Sequence, residues 1–354
     1  TVEVTGVNDS AADGPISYTI TTAAAVSADP NYNGFDGPDV AGTNADNDVA
    51  GVTVSPTVGL VTTEAGAQAT FSVVLNTLPT HRVTMTLESS DGSEVTVSPD
   101  SLEFLASTWS TPQTVTVTGV DDWVDDGDAT LSVSVEAAVS SDPNYDGLDP
   151  EDVAVTNEDN DESGISISPT SGLTTSEAGG TAQFTLVLTS KPSGAVSVGI
   201  TSSDTGEGTV SESSVTFSAS GWSTPKTITV TGANDTIDDG DQSYSVVTGG
   251  ASSSDSLYAG LDPSDVSLTN TDDDTAGVVV TPTSGHVTTE SGGTSTFTVA
   301  LATQPLQPVT INLSTGDGGE VSLSTSTLSF STSDWSTPKS VILTGVNDDV
   351  DDGD

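Results

Sequence analysis

The feature that most limits what this chain can become is a repeat of fixed length. The string TGVND begins at Thr5, TGVDD at Thr118, TGAND at Thr231 and TGVND at Thr344, each 113 residues after the last. Trp109, Trp222 and Trp335 keep the step, as do Phe71, Phe184 and Phe297 and the acidic triplets at 46–48, 159–161 and 272–274. A unit this long exceeds the helical and solenoid repeats that must stack to bury a core, so each is expected to be a whole domain. With the triplet as the junction, residues 49–161 and 162–274 are complete repeats, residues 1–48 the C-terminal half of a preceding one, and residues 275–354 the N-terminal part of a following one. Residues 340–354 return to the register of residues 1–15, so the expectation is a slice through a longer linear array.

Within a repeat the hydrophobic period is two. Val115 and Val117 alternate with Thr114, Thr116 and Thr118, and Leu131, Val133 and Val135 alternate with Ser132, Ser134 and Glu136. That alternation belongs to strands with one buried face. Turn signals such as Asp91-Gly92, Ser98-Pro99 and Asp126-Gly127 separate the strands, and no segment has a helical period. The predicted fold is all-β: a tandem series of two-sheet antiparallel sandwiches, each of about 100 residues. The recurring Trp reads as core cover, with an exposed adhesive aromatic as the competing reading. The hairpin SSDPNYDGLDPEDV opens like a Ca²⁺ loop at Asp142, Asn144 and Asp146, but its third copy carries Leu257 and Ala259. Tyr32, Tyr145 and Tyr258 persist, which favours a structural loop pinned by the tyrosine.

Charge narrows the partners. Across 354 residues, 52 Asp plus Glu stand against 4 Lys plus Arg, a formal charge of -48. Phosphate backbones would be repelled, so nucleic acid is excluded and cations are the natural partners. There is no cysteine, so no disulfide framework supplies stability. No apolar run of roughly 18 residues is present, which argues against direct membrane insertion of this segment.

The acids could be a solvated, salt-adapted surface, which would scatter them over exposed strand faces. Instead they recur at a few positions per repeat. A lone Glu follows two hydroxyl residues at Glu64, Glu177 and Glu290. An acidic run follows the TG motif: Asp121, Asp122, Asp126 and Asp128, then Asp235, Asp239 and Asp241, then Asp348, Asp352 and Asp354. The closing triplets contribute Asp46 and Asp48, Asp159 and Asp161, and Asp272 and Asp274. Like charges this close repel unless a cation offsets them, and Ca²⁺ takes about six to eight oxygens from loops of this composition.

The stretch TGVDDWVDDGDATLSV, followed by TNEDNDESGISI, resembles the Calx-β domain, and TFSVVLNTLP and FTLVLTSKP are similar to that family's second strand. The resemblance implies an Ig-like, Greek-key sandwich that binds a cluster of Ca²⁺ ions. It implies as ligands Glu64, Asp122, Asp126, Asp128, Asp159 and Asp161 in one repeat, and Glu177, Asp235, Asp239, Asp241, Asp272 and Asp274 in the next. The long hairpin departs from the basic family pattern and looks like the version in large bacterial surface proteins and adhesins. In the first repeat Ala12 and Pro15 replace the acids at Asp125 and Asp128.

With no Cys, and with His81 and His286 at non-equivalent repeat positions, no nucleophile-and-base set is present, so no enzyme is expected. The functional expectation is a Ca²⁺-binding structural region of a secreted filament or adhesin stalk. Its partners would be neighbouring repeats and identical chains in a fibre, with Ca²⁺ stiffening the junctions. The alternative is a ligand- or glycan-binding module of a cell-surface adhesin, which predicts repeats that differ where they bind.

Overall fold

The computed structural model describes residues 1–347, and all regular structure in it is β. No helix there is long and apolar enough to cross a membrane. The chain forms two compact units, Thr1–Glu162 and Ser163–Asp354.

In the first unit the strands are β1 (Ile16–Ile20), β2 (Val40–Asn44), β3 (Val52–Ser55), β4 (Leu60–Thr63), β5 (Gln68–Leu75) and β6 (Val83–Ser89). They continue with β7 (Val95–Ser98), β8 (Ser101–Phe104), β9 (Gln113–Gly119), β10 (Ala129–Val135), β11 (Val139–Ser140) and β12 (Val153–Glu158). One sheet runs β3-β5-β9-β7; the other runs β11-β6-β10-β12-β4, with β8 also on β6. The period of two sends Phe71, Val73, Val115 and Val117 inward from the first sheet. They meet Met85, Leu102, Phe104, Val133 and Val155 from the second in one core. Each such buried side chain contributes about 1.5–3 kcal/mol relative to exposure. The intervening Thr and Ser line the outer faces.

Trp109 lies half-buried against this core, and its carbonyl accepts the Leu75 N–H at 3.3 Å. Tyr145 is 1% exposed. Its hydroxyl donates to the Thr77 carbonyl at 2.7 Å and accepts the Thr77 N–H at 3.0 Å. Tyr258 repeats both bonds on Ser190. Asp142 accepts the N–H groups of Asn144 and Thr80, and Asp255 those of Leu257 and Ser193, so the hairpin acid braces its own turn even where Asn144 becomes Leu257. Tyr32, in the turn that connects β1 to β2, is exposed instead.

The otherwise antiparallel fold contains one parallel pairing per complete repeat. β12 runs alongside β4 with Val155 opposite Leu60 and Glu158 opposite Thr63. In the second unit Val266–Thr271 pairs in parallel with Leu173–Ser176 in the same way. That unit repeats both sheets and a core containing Phe184, Val230, Phe217 and Tyr258. Its residues beyond 274 add a four-stranded sheet, a two-stranded pair and a smaller core around Val299, Phe330 and Val341.

Candidate metal centre

Register alone brings the acids together. Parallel strands leave a sheet at the same end, so the residue after Thr63 and the residue after Glu158 emerge side by side. Those residues are Glu64 and Asp159. β10 is antiparallel to β12 with Ala129 opposite Asn157, which returns Asp128 to that end. β7 begins opposite the end of β9, Val95 against Gly119, so Glu94 and the 121–128 loop arrive there too. Gly119 permits the convergence, because a Cβ there would lie 2.1 Å from the Thr63 carbonyl oxygen and 2.6 Å from Asn157 Oδ1.

Glu64 is 3% exposed, deep for a carboxylate. Its Oε2 accepts the Asn160 N–H at 3.3 Å. Burial, opposed by that N–H and reinforced by the charges of Asp159 and Asp122, pushes its carboxyl up to about 7. Asp159 lies beside it, with Oδ2 accepting Gly127 N–H at 2.7 Å and Asp126 N–H at 3.1 Å, and Oδ1 accepting Asp161 N–H at 2.7 Å. Burial raises Asp159, but these donors outweigh it and hold the group below the usual carboxylate range. Burial, then the Asp159, Asp121 and Asp122 charges, raises Asp161. Burial, then Glu94 and Asp122, raises Asp126. Asp122 turns the loop by accepting Val124 N–H at 2.6 Å, Asp121 accepts from the Asn160 amide at 3.3 Å, and Asp128 accepts Asp159 N–H at 3.1 Å.

The second unit rebuilds the arrangement. Glu177 is 4% exposed, and burial followed by the Asp235 charge pushes its carboxyl up to about 7. Asp272 accepts Gly240 N–H and Asp274 N–H, and Asp241 accepts Asp272 N–H. Asp46 accepts Gly14 N–H at 2.7 Å and Asp48 N–H at 2.9 Å, so the triplet geometry survives in the first repeat despite Ala12 and Pro15. Glu290 is exposed, and Asp348, Asp352 and Asp354 lie outside the described residues.

Among the described residues, three sets of carboxylates each place one oxygen within 4.8 Å of the others: Glu64, Asp159 and Asp161; Glu177, Asp273 and Asp274; and Glu207, Asp235 and Asp239. Glu207 and its counterpart Glu94 were not among the residues singled out from sequence, and Asp273 stood in the closing triplet without being among the expected ligands. Glu94 and Glu207 accept from the buried amides of Asn157 and Asn270. A signal was present, since Glu94, Glu207 and Glu320 recur at the repeat step.

The residues fit a hard divalent cation. Asp161 Oδ2 and Glu177 Oε2 are buried oxygens without a hydrogen-bond partner, a costly condition that a bound cation relieves. No histidine belongs to any of the three sets, so the donors are oxygens and suit Ca²⁺ over zinc or copper.

No protein-family model matches the chain, and no curated protein sequence is similar to it. Among solved structures it is similar to the calcium binding domain CBD12 of CALX1.1, at 16% identity and TM-score 0.31 over 60% of this chain and 82% of that one. It is also similar to CBD12 from CALX1.2, at 15% identity and TM-score 0.29 over 56% and 80%. Domains 4 and 5 of the S-layer protein SbsC match at 17% identity and TM-score 0.25 over 63% and 98%. Scores this low carry no weight for function, which rests on the carboxylates.

Proposed function

We propose that the chain is a tandem array of Ca²⁺-binding β-sandwich repeats with a structural, non-enzymatic role, part of an extracellular filament or cell-surface adhesin stalk. The observation that carries the reading is the pair of buried glutamates, Glu64 and Glu177, each set against a closing acidic triplet with an orphaned buried oxygen in the group. A protein without disulfides gains little from burying carboxylates together unless a cation compensates them. Glu64, Asp159 and Asp161 would hold one ion, with Asp121, Asp122 and Asp126 close enough to share in further coordination. Glu177, Asp272, Asp273 and Asp274, with Glu207, Asp235 and Asp239, would do so in the next repeat.

The triplets are also the last residues of each sequence period, so an ion bound there fixes the segment from which the chain continues. Ca²⁺ would therefore stiffen the array as well as stabilise each sandwich, which suits a stalk that transmits force. The secreted location is part of this reading, and high extracellular Ca²⁺ would keep even modest sites filled. Small-angle scattering of the whole chain in Ca²⁺ and in chelator tests it. We expect a longer, better-defined maximum dimension with Ca²⁺; superimposable profiles would contradict the stiffening role.

A further inference from the structure

The acidic loop after the TG motif has a second, outward use. In the second unit the Thr236 carbonyl accepts the Gln304 N–H at 2.7 Å, and Asp238 Oδ2 accepts the Ala276 N–H at 2.7 Å. Both donors lie beyond the triplet that ends the period at Asp274. Ile237, between the two acceptors, lines an apolar crevice with Val278, Leu301, Leu306 and Val309. The loop is shaped from within, since Asp235 Oδ1 accepts the Ile237 N–H at 2.7 Å while its carboxylate belongs to the Glu207 and Asp239 set.

The same bond occurs in the first unit. The Ser10 carbonyl accepts the Leu78 N–H at 2.7 Å, and Ser10 and Leu78 stand two periods before Thr236 and Gln304. The side chains differ, Ser against Thr and Leu against Gln, whereas the main-chain bond is kept. Side-chain contacts around it vary: the Asn144 amide donates to the Ala12 carbonyl at 2.8 Å in the first unit, where the second uses the Asp238 carboxylate. A main-chain bond tolerates sequence drift, as a joint reused along an array must.

We propose that this clasp is the surface by which a repeat seats its successor, the partner being the next repeat of the same chain. The loop after the TG motif presents a carbonyl to the N–H at the equivalent of Gln304, and Asp238 is a positioning residue that pins the incoming strand at Ala276. The acidic run thereby divides its labour: Asp235 and Asp239 face the carboxylate cluster, and Asp238 faces the neighbour. The clasp shares the array reading with the proposed function and does not depend on the cation.

The absence of cysteine permits a direct test on the whole chain. Cysteines introduced by Ser214→Cys and Thr310→Cys, both at exposed strand positions on either side of the joint, take spin labels for a distance measurement in Ca²⁺. Asp238→Ala removes the carboxylate acceptor, and Gln304→Pro removes the N–H donor. Each is expected to broaden the label-to-label distribution while calorimetric Ca²⁺ uptake is retained. Distributions as narrow as the parent's in both variants would overturn the clasp. A parent chain that takes up no Ca²⁺ would instead strike at the cation reading, and the comparison of widths would still decide this one.

Discussion

At the scale of single residues, Glu64 and Glu177 are the most informative groups, because burial gives them a pH dependence of unusual sign. Each has a folded-state carboxyl raised from 4.5 to about 7, so between those values the folded protein binds more protons than the unfolded chain. Metal-free stability contributed by these groups is therefore full below pH 4.5 and is lost as pH rises through about 7. Ca²⁺ must displace those protons, so its affinity rises over the same window. Thermal unfolding of the metal-free chain across pH 5 to 8 should show falling stability, and Glu64→Gln should flatten that slope while weakening Ca²⁺ binding by at least about tenfold. A metal-free chain that gains stability over this window would contradict the burial. Glu64 and Glu177 were candidates in the sequence through their recurrence after paired hydroxyl residues and through the Calx-β resemblance. Glu94 and Glu207 recur at the same step, but their nearness to the 121–128 and 234–241 loops depends on strand register and not on neighbours in the chain.

At the scale of elements, the site is a consequence of how five strand ends meet, those of β4, β7, β9, β10 and β12. The alternation along β9 and β10 was enough to read these as half-buried strands, and the inward residues are those the alternation selects. The parallel pairing of β12 with β4 was not legible, since a strand's sequence carries no mark of its partner's direction. Nor was the reason for the glycine of the TG motif, which becomes plain only against Thr63 and Asn157. That contact makes Gly119→Ala a sharp test of the convergence. The added methyl cannot fit without displacing the β4 backbone, and overpacking of this kind costs about 1–3 kcal/mol. Urea unfolding should register that loss, and Ca²⁺ affinity should fall with it because Glu64 follows directly on Thr63. The glycine occupies the same setting at Gly232 against Ser176 and Asn270, so Gly232→Ala should behave alike. Full stability in both variants would contradict the account of why the motif recurs.

At the scale of the whole molecule, a chain carrying -48 at neutral pH holds many carboxylates where repulsion is strongest, and the account attributes that placement to a cation. The competing explanation is a diffuse counterion atmosphere around a salt-adapted surface. The two part company over saturation and over which residues matter. A diffuse atmosphere responds to total charge, so neutralising two glutamates among 52 acidic residues would hardly alter it. A coordinated ion responds to its ligands. The regular 113-residue step also means that the sites should behave as a set, each unit losing its own ions when its buried glutamate is changed. The most direct measurement is a calorimetric Ca²⁺ titration of the full chain and of the Glu64→Gln, Glu177→Gln double variant, in excess Mg²⁺ and physiological salt. The account predicts saturable binding of several ions by the parent, with the ions of both units lost or strongly weakened in the variant. Unsaturable uptake, or identical isotherms for the two proteins, would contradict it.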